Sequence, residues 1–170
     1  MILINNAEKI NREYLFEYLR VLGIYLGYIV LMASALIAVR FTVKVPDYIF
    51  RKLLHIVAFT SILPLVFCTD IWWIAVAVEV FFLIIVIFAL RFFESFAFYK
   101  GLFVEKAPHE VIVSFVSLFG LMVIMLAVFW GGFGDGHEYI AVAAIMAWGP
   151  GDAVAAIVGK NTESISLRGK

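Results

Sequence analysis

The chain has 170 residues, 65% of them hydrophobic and 15% charged, with 13 basic and 13 acidic side chains and a mean hydropathy of +1.05. So little polar surface excludes a soluble globule, and the absence of a basic excess excludes a nucleic-acid partner, which demands a field of Lys and Arg. The single cysteine, Cys68, excludes an internal disulfide.

Residues 1–18 mix Glu8, Lys9, Arg12, Glu13 and Glu17 with Ile10, Tyr14, Leu15 and Tyr18 at near-helical intervals, which predicts a short amphipathic interfacial helix. Five apolar runs follow, at about 20–39, 53–69, 71–90, 111–130 and 139–159. Each approaches the ~20 residues a helix needs to cross ~30 Å of hydrocarbon, and the alternating pattern of a membrane β-barrel is missing. The expected fold is therefore an all-α integral membrane protein, a single polytopic domain. Pro64 predicts a kink in the second run, and Gly149-Pro150-Gly151 predicts a break in the fifth, whose following half-helix would present its N-terminal amides. Trp72, Trp73, Trp130 and Tyr139 fall near span edges, as an interfacial belt would have them.

Lys and Arg are distributed unevenly. Arg40, Lys44, Arg51 and Lys52 lie between the first two runs, Arg91, Lys100 and Lys106 between the third and fourth, and Lys160, Arg168 and Lys170 after the fifth. The alternate loops, around Asp70 and from Gly131 to Glu138, carry none, so the N-terminus is expected outside and the C-terminus in the cytoplasm. The glycine-rich loop at 131–138 reads as a flexible connection: no strand precedes it and its spacing is not that of a nucleotide loop.

Two patterns carry chemistry. Arg51-Lys52-Leu53-Leu54-His55 sits at the mouth of the second run, with Arg51 and His55 one turn apart. Such a cluster can grip phosphate oxygens, while the plainer reading is a pair of anchors snorkelling to headgroups. The second pattern places Asp152 in an apolar run, where a carboxylate costs roughly 2.5–3.5 kcal/mol. Asp152 shares a helical face with Ala155, Ala156 and Gly159, so it is expected to point at protein or a cavity. Glu79 is a second acid within a span. It either shares a divalent cation or a lipid hydroxyl with Asp152, or is a protonated, structural carboxyl bonded across helices.

Arg51-Lys52-x-x-His55 followed by Gly151-Asp152-x-x-Ala155-x-x-x-Gly159-Lys160 resembles the dolichol kinase and phytol kinase family, membrane kinases of isoprenoid alcohols that include CTP-using members. The resemblance extends over roughly residues 40–165. It implies transfer of a phosphoryl group from a nucleoside triphosphate, CTP or ATP, to the hydroxyl of dolichol, polyprenol or phytol, with Mg²⁺ as cofactor and membrane lipids as surroundings. On that reading Arg51 and Lys52 clamp phosphates, Lys160 adds a contact, Gly151 and Gly159 permit close backbone approach, and Asp152 ligates the metal or takes the alcohol proton, with His55 as the rival base. The family continues into a Lys-rich loop and further helices beyond the Gly-Lys element, so the resemblance implies a shortened version, completed by another portion or by assembly as a homo-oligomer. Two other readings stand beside it. One is a membrane cytidylyltransferase making a CDP-linked lipid, and the other a proton- or ion-coupled transporter built on Glu79 and Asp152.

Overall fold

The computed structural model describes residues 2–43, 45–96, 99 and 109–161, and every regular element among them is helical. Helix α1 runs Ile2–Val43, α2 Asp47–Thr60, α3 Ile62–Cys68, α4 Trp72–Phe93 and α5 Glu110–Met125; a π-helical stretch, Leu126–Gly132, continues α5, and α6 spans Glu138–Asn161. Five helical units among the described residues are long and apolar enough to cross a bilayer, with α2 and α3 together forming one of them. The chain is an all-α multi-pass membrane protein. Large apolar side chains such as Phe41, Phe67, Phe88 and Phe92 are exposed around its outside, as a lipid-facing surface requires.

The expected interfacial helix is not a separate element. Residues 2–43 form one helix of 42 residues, about 63 Å long at 1.5 Å per residue, because nothing between Lys9 and Arg20 is a Gly or Pro that would end it. Its amphipathic lead-in docks instead: the Tyr14 ring meets Trp73 edge-on at 5.5 Å, and Arg20 bonds both Glu17 Oε1 at 2.6 Å and the Cys68 carbonyl at 2.8 Å. At the other end of α1, Arg40 lies 4.5 Å above the Phe50 ring and bonds Asp47 at 2.8 Å. Asp47 opens α2 just after Pro46, where a carboxylate complements the helix dipole.

The kink expected at Pro64 is present as the interruption at Ser61. A proline has no N–H for the carbonyl four residues back, here that of Thr60, so the ladder parts between α2 and α3. Side chains brace the joint. Thr60 and Ser61 donate to the carbonyls of Ile56 and Ala58, at 2.7 and 2.6 Å, and in turn accept hydroxyl bonds from Tyr28 at 2.6 Å and Tyr25 at 3.0 Å. Removing the fully buried Tyr25 hydroxyl with Tyr25→Phe is expected to cost about 1 kcal/mol, the usual worth of one such bond, read as a lower unfolding midpoint in detergent.

The break expected at Gly149-Pro150-Gly151 does not occur. Helix α6 continues through Pro150, whose missing N–H and neighbouring glycines a packed membrane helix accommodates, so no half-helix N-terminus faces the site. The core draws on all six helices, α2 through Ala58 and Phe59, with Tyr25, Phe82 and Phe119 in successive edge-on contacts at 5.1 Å and Phe115 stacked on Phe119 at 5.8 Å. Trp130 departs from the belt: it is 3% exposed and belongs to that core, while Trp72, Trp73 and Tyr139 are exposed as expected. The 131–138 connection turns through left-handed backbone at Gly134 and Gly136, φ 92° and 90°, which only glycine adopts easily.

Candidate functional site

The chain alternates direction so that the start of α2, the end of α4, the start of α5 and the end of α6 meet at one end of the bundle, the end carrying Arg40, Arg51, Lys52 and Arg91. There α2 leans chiefly on α6. The contact depends on Gly149: a Cβ built on it would fall 2.1 Å from the Phe59 ring, so the ring of α2 lies directly on the backbone of α6. The neighbouring Trp148 also meets the Phe59 ring, edge-on at 5.1 Å. Small residues bring membrane helices together in this way.

Lys52, His55 and Phe59 share one face of α2, and Trp148, Gly149 and Asp152 share the facing side of α6. Closing Phe59 onto Gly149 therefore brings the upper residues into register. Lys52 Nζ bonds Asp152 Oδ2 at 2.8 Å across a separation of a hundred residues. Above the aromatic contact opens a cleft of about 360 Å³, walled by α2, α5 and α6 and lined by Lys52, His55, Phe59, Ser114, Ser117 and Asp152 among others. Its floor is apolar, with Phe59, Leu118 and Trp148, and its rim is charged. Beside it Arg51 turns toward α5 and bonds Glu110 at 2.5 Å.

The two sequence patterns are thus joined in space, at Lys52, His55 and Asp152. Arg51 stands one position around the helix, sharing a smaller pocket with His55, Glu110 and Ser114. Asp152 is among the residues lining the cleft, but its side chain is 67% exposed and Ala155, Ala156 and Gly159 on the same face are exposed too, so no described helix packs against that face. Glu79 lies elsewhere. It is fully buried in α4, lines none of the cleft, and faces the Tyr25 hydroxyl of α1, as a structural carboxyl bonded across helices would. Tyr25 in turn bonds Ser61, at the joint of α2 with α3, nine residues or roughly 13 Å from Lys52, so the structure does not bring Glu79 and Asp152 around one ion.

Gly151 and Gly159 do not sit under a neighbouring backbone. A Cβ on Gly151 would meet only the Met146 carbonyl of its own helix, at 4.0 Å, and one on Gly159 would meet nothing within 4 Å. The backbone of Lys160 belongs to the last turns of α6; its side chain lies outside the described residues, as do Lys44, Lys100, Lys106, Arg168 and Lys170. Ser114 and Ser117 were the site's missed members. Two hydroxyls three residues apart in an otherwise apolar run mark one helix face, and that spacing was the available signal. Glu110, which from sequence reads as a solvated carboxylate or a supplement to a metal site, instead bonds Arg51.

No group of three or more potential ligand side chains surrounds a metal position among the described residues. Asp152 is the one carboxylate among the residues lining the cleft. A single carboxylate, here bonded to Lys52, can hold magnesium only where a phosphorylated substrate brings most of the oxygens. No family model, curated protein or solved structure matches the chain.

Proposed function

We propose that the cleft is the active site of a membrane lipid kinase that transfers the terminal phosphoryl group of a nucleoside triphosphate, CTP or ATP, to the hydroxyl of an isoprenoid alcohol such as dolichol, polyprenol or phytol. One observation carries this reading: Lys52 and Asp152 meet over an apolar aromatic floor, in a cleft roomy enough for phosphates and bordered by lipid-facing helices. The uneven placement of Lys and Arg supports an arrangement with the cleft toward the cytoplasm, where the nucleotide is, and the N-terminus outside.

Phosphoryl transfer needs alignment and charge neutralisation more than covalent help. Lys52 supplies a point charge to phosphate oxygens, and Arg51, one position round the helix, supplies a planar fork on exchanging Glu110 for phosphate. Asp152 would hold the magnesium ion, which when bound neutralises charge building on the triphosphate. His55, on the wall shared by the cleft and the smaller pocket, takes the proton of the lipid hydroxyl as its oxygen bonds to the γ-phosphorus. The bond from that phosphorus to the bridging oxygen breaks, and the nucleoside diphosphate leaves. Ser114 and Ser117 offer hydroxyls to orient the acceptor. The apolar floor meets the first carbons of the lipid.

The test uses the purified chain in vesicles containing an isoprenoid alcohol. Label from the γ-phosphate of CTP or ATP is expected in the organic-soluble lipid. Cytidine label in the lipid would mean a cytidylyltransferase instead. Ion-driven uptake with no lipid product would mean a carrier, a reading that the separation of Glu79 from the cleft already disfavours.

A further inference from the structure

A second cavity of about 200 Å³ lies on the far side of α2 from the cleft, between α1, α2, α4 and α5. Ile29, Ala33, Leu54, Val57, Phe82 and Phe119 are among its walls, and every side chain lining it is hydrocarbon. An apolar cavity of about 150 Å³ stays dry and accepts a benzene-sized hydrocarbon, so one of this size and lining suits a stretch of lipid chain and not water.

The two cavities are linked around α2. Lys52, His55 and Phe59 face the cleft, whereas Phe50, Leu54, Val57 and Ala58 face the apolar cavity, about 150° round the helix at 3.6 residues per turn. Between them is the seam of α2 with α5, where the small pocket shares His55 and Ser114 with the cleft and Leu54 with the apolar cavity. That seam holds only about 20 Å³ and is closed at its outer edge by Arg51 and Glu110. α2 lies chiefly against α6 and touches α5 much less, so fewer contacts have to part for a chain to pass on that side.

We infer that the apolar cavity holds the hydrocarbon chain of the lipid alcohol whose hydroxyl is presented in the cleft, the chain passing between α2 and α5 beneath the Arg51–Glu110 pair. This rests on the lipid-kinase reading for the head of the molecule. Because bilayer hydrocarbon is as apolar as the cavity, the chain gains little by leaving the membrane; what the cavity provides is packing against defined walls, which positions the hydroxyl.

The experiment uses an isoprenoid alcohol carrying a diazirine on its third isoprene unit, photolysed with the protein in nanodiscs without nucleotide, and the labelled residues mapped by mass spectrometry. Label is expected on Phe82, Val86 or Phe119. Ala33→Phe and Ala89→Phe, which fill the cavity from α1 and from α4, should each lower it at least about fivefold by displacing a packed chain segment. Label confined to outward residues such as Phe88 and Phe92, or unchanged by both substitutions, would overturn the inference. Phosphoryl transfer to the alcohol without cavity labelling leaves the kinase standing and sinks the chain site; cavity labelling without transfer does the reverse.

Discussion

Asp152→Asn is expected to lower phosphoryl transfer to the lipid by at least about a hundredfold while leaving the protein folded, the scale on which a positioned acid–base or electrostatic group contributes to rate. The amide keeps the size of the side chain and can still accept a hydrogen bond from Lys52, but it surrenders the charge needed to hold magnesium phosphate. The pair is open to the cleft, so its loss should leave the helix contact below, Phe59 on Gly149, in place. Exchanging the partners, Lys52→Asp with Asp152→Lys, restores an ion pair across the same two helices. If the contact served only to fasten α2 to α6, the exchanged protein would regain activity. The expected result is that it regains thermal stability and stays inactive, because the cation and the acid then stand on the wrong walls for phosphate and metal. Initial rates in vesicles alongside unfolding midpoints in detergent separate the two cases.

The second large effect belongs to Gly149, whose part is structural. Gly149→Ala puts a methyl group where the Phe59 ring already is, 2.1 Å from its nearest carbons, and Phe59 is only 5% exposed, in the core, with Trp148 edge-on against its ring. Overpacking of this kind costs about 1–3 kcal/mol. The midpoint of thermal unfolding should fall by several degrees, and transfer should fall with it, since parting α2 from α6 also parts Lys52 from Asp152. Phe59→Ala alone leaves a hole and is expected to destabilise as well. The double variant Phe59→Ala/Gly149→Ala should be less damaged than the two losses added together, the mark of residues in direct contact. Additive losses would mean that the ring and the glycine do not meet.

The fold was largely legible because a bilayer tolerates so few solutions. Twenty apolar residues in a row can only be a helix there, and the runs at 71–90, 111–130 and 139–159 correspond closely to Trp72–Phe93, Glu110–Gly132 and Glu138–Asn161. What sequence could not supply was continuity. Whether the charged lead-in and the first span join into one rod depends on the absence of a breaker, and whether Pro150 breaks α6 depends on neighbours that compensate for its missing N–H. Pro64 shows the contrast, since there the ladder does part.

The site was legible in outline for a different reason. Asp152 was conspicuous because a charge in an apolar run is costly, and Lys52 because it belongs to a basic cluster at the mouth of the second run; the structure joins the two. Gly149 was conspicuous as well but for the wrong property: its lack of a side chain serves the Phe59 contact, not a helix break, and only the packed helices reveal which. Glu79 stood out equally and lies apart from the cleft, because the depth of a residue along its own helix says nothing of which neighbours surround it. Ser114 and Ser117 carry no charge and so gave only the weak signal of shared spacing.

The most direct measurement is whether the two patterns share one site in the membrane. With Cys68→Ser removing the native thiol, Lys52→Cys paired with Asp152→Cys should be bridged in high yield by a short bifunctional thiol reagent, whereas Lys52→Cys paired with Tyr139→Cys, at the opposite end of α6, should not. Equal bridging of both pairs, or none of the first in folded protein, would contradict the site on which everything else is built.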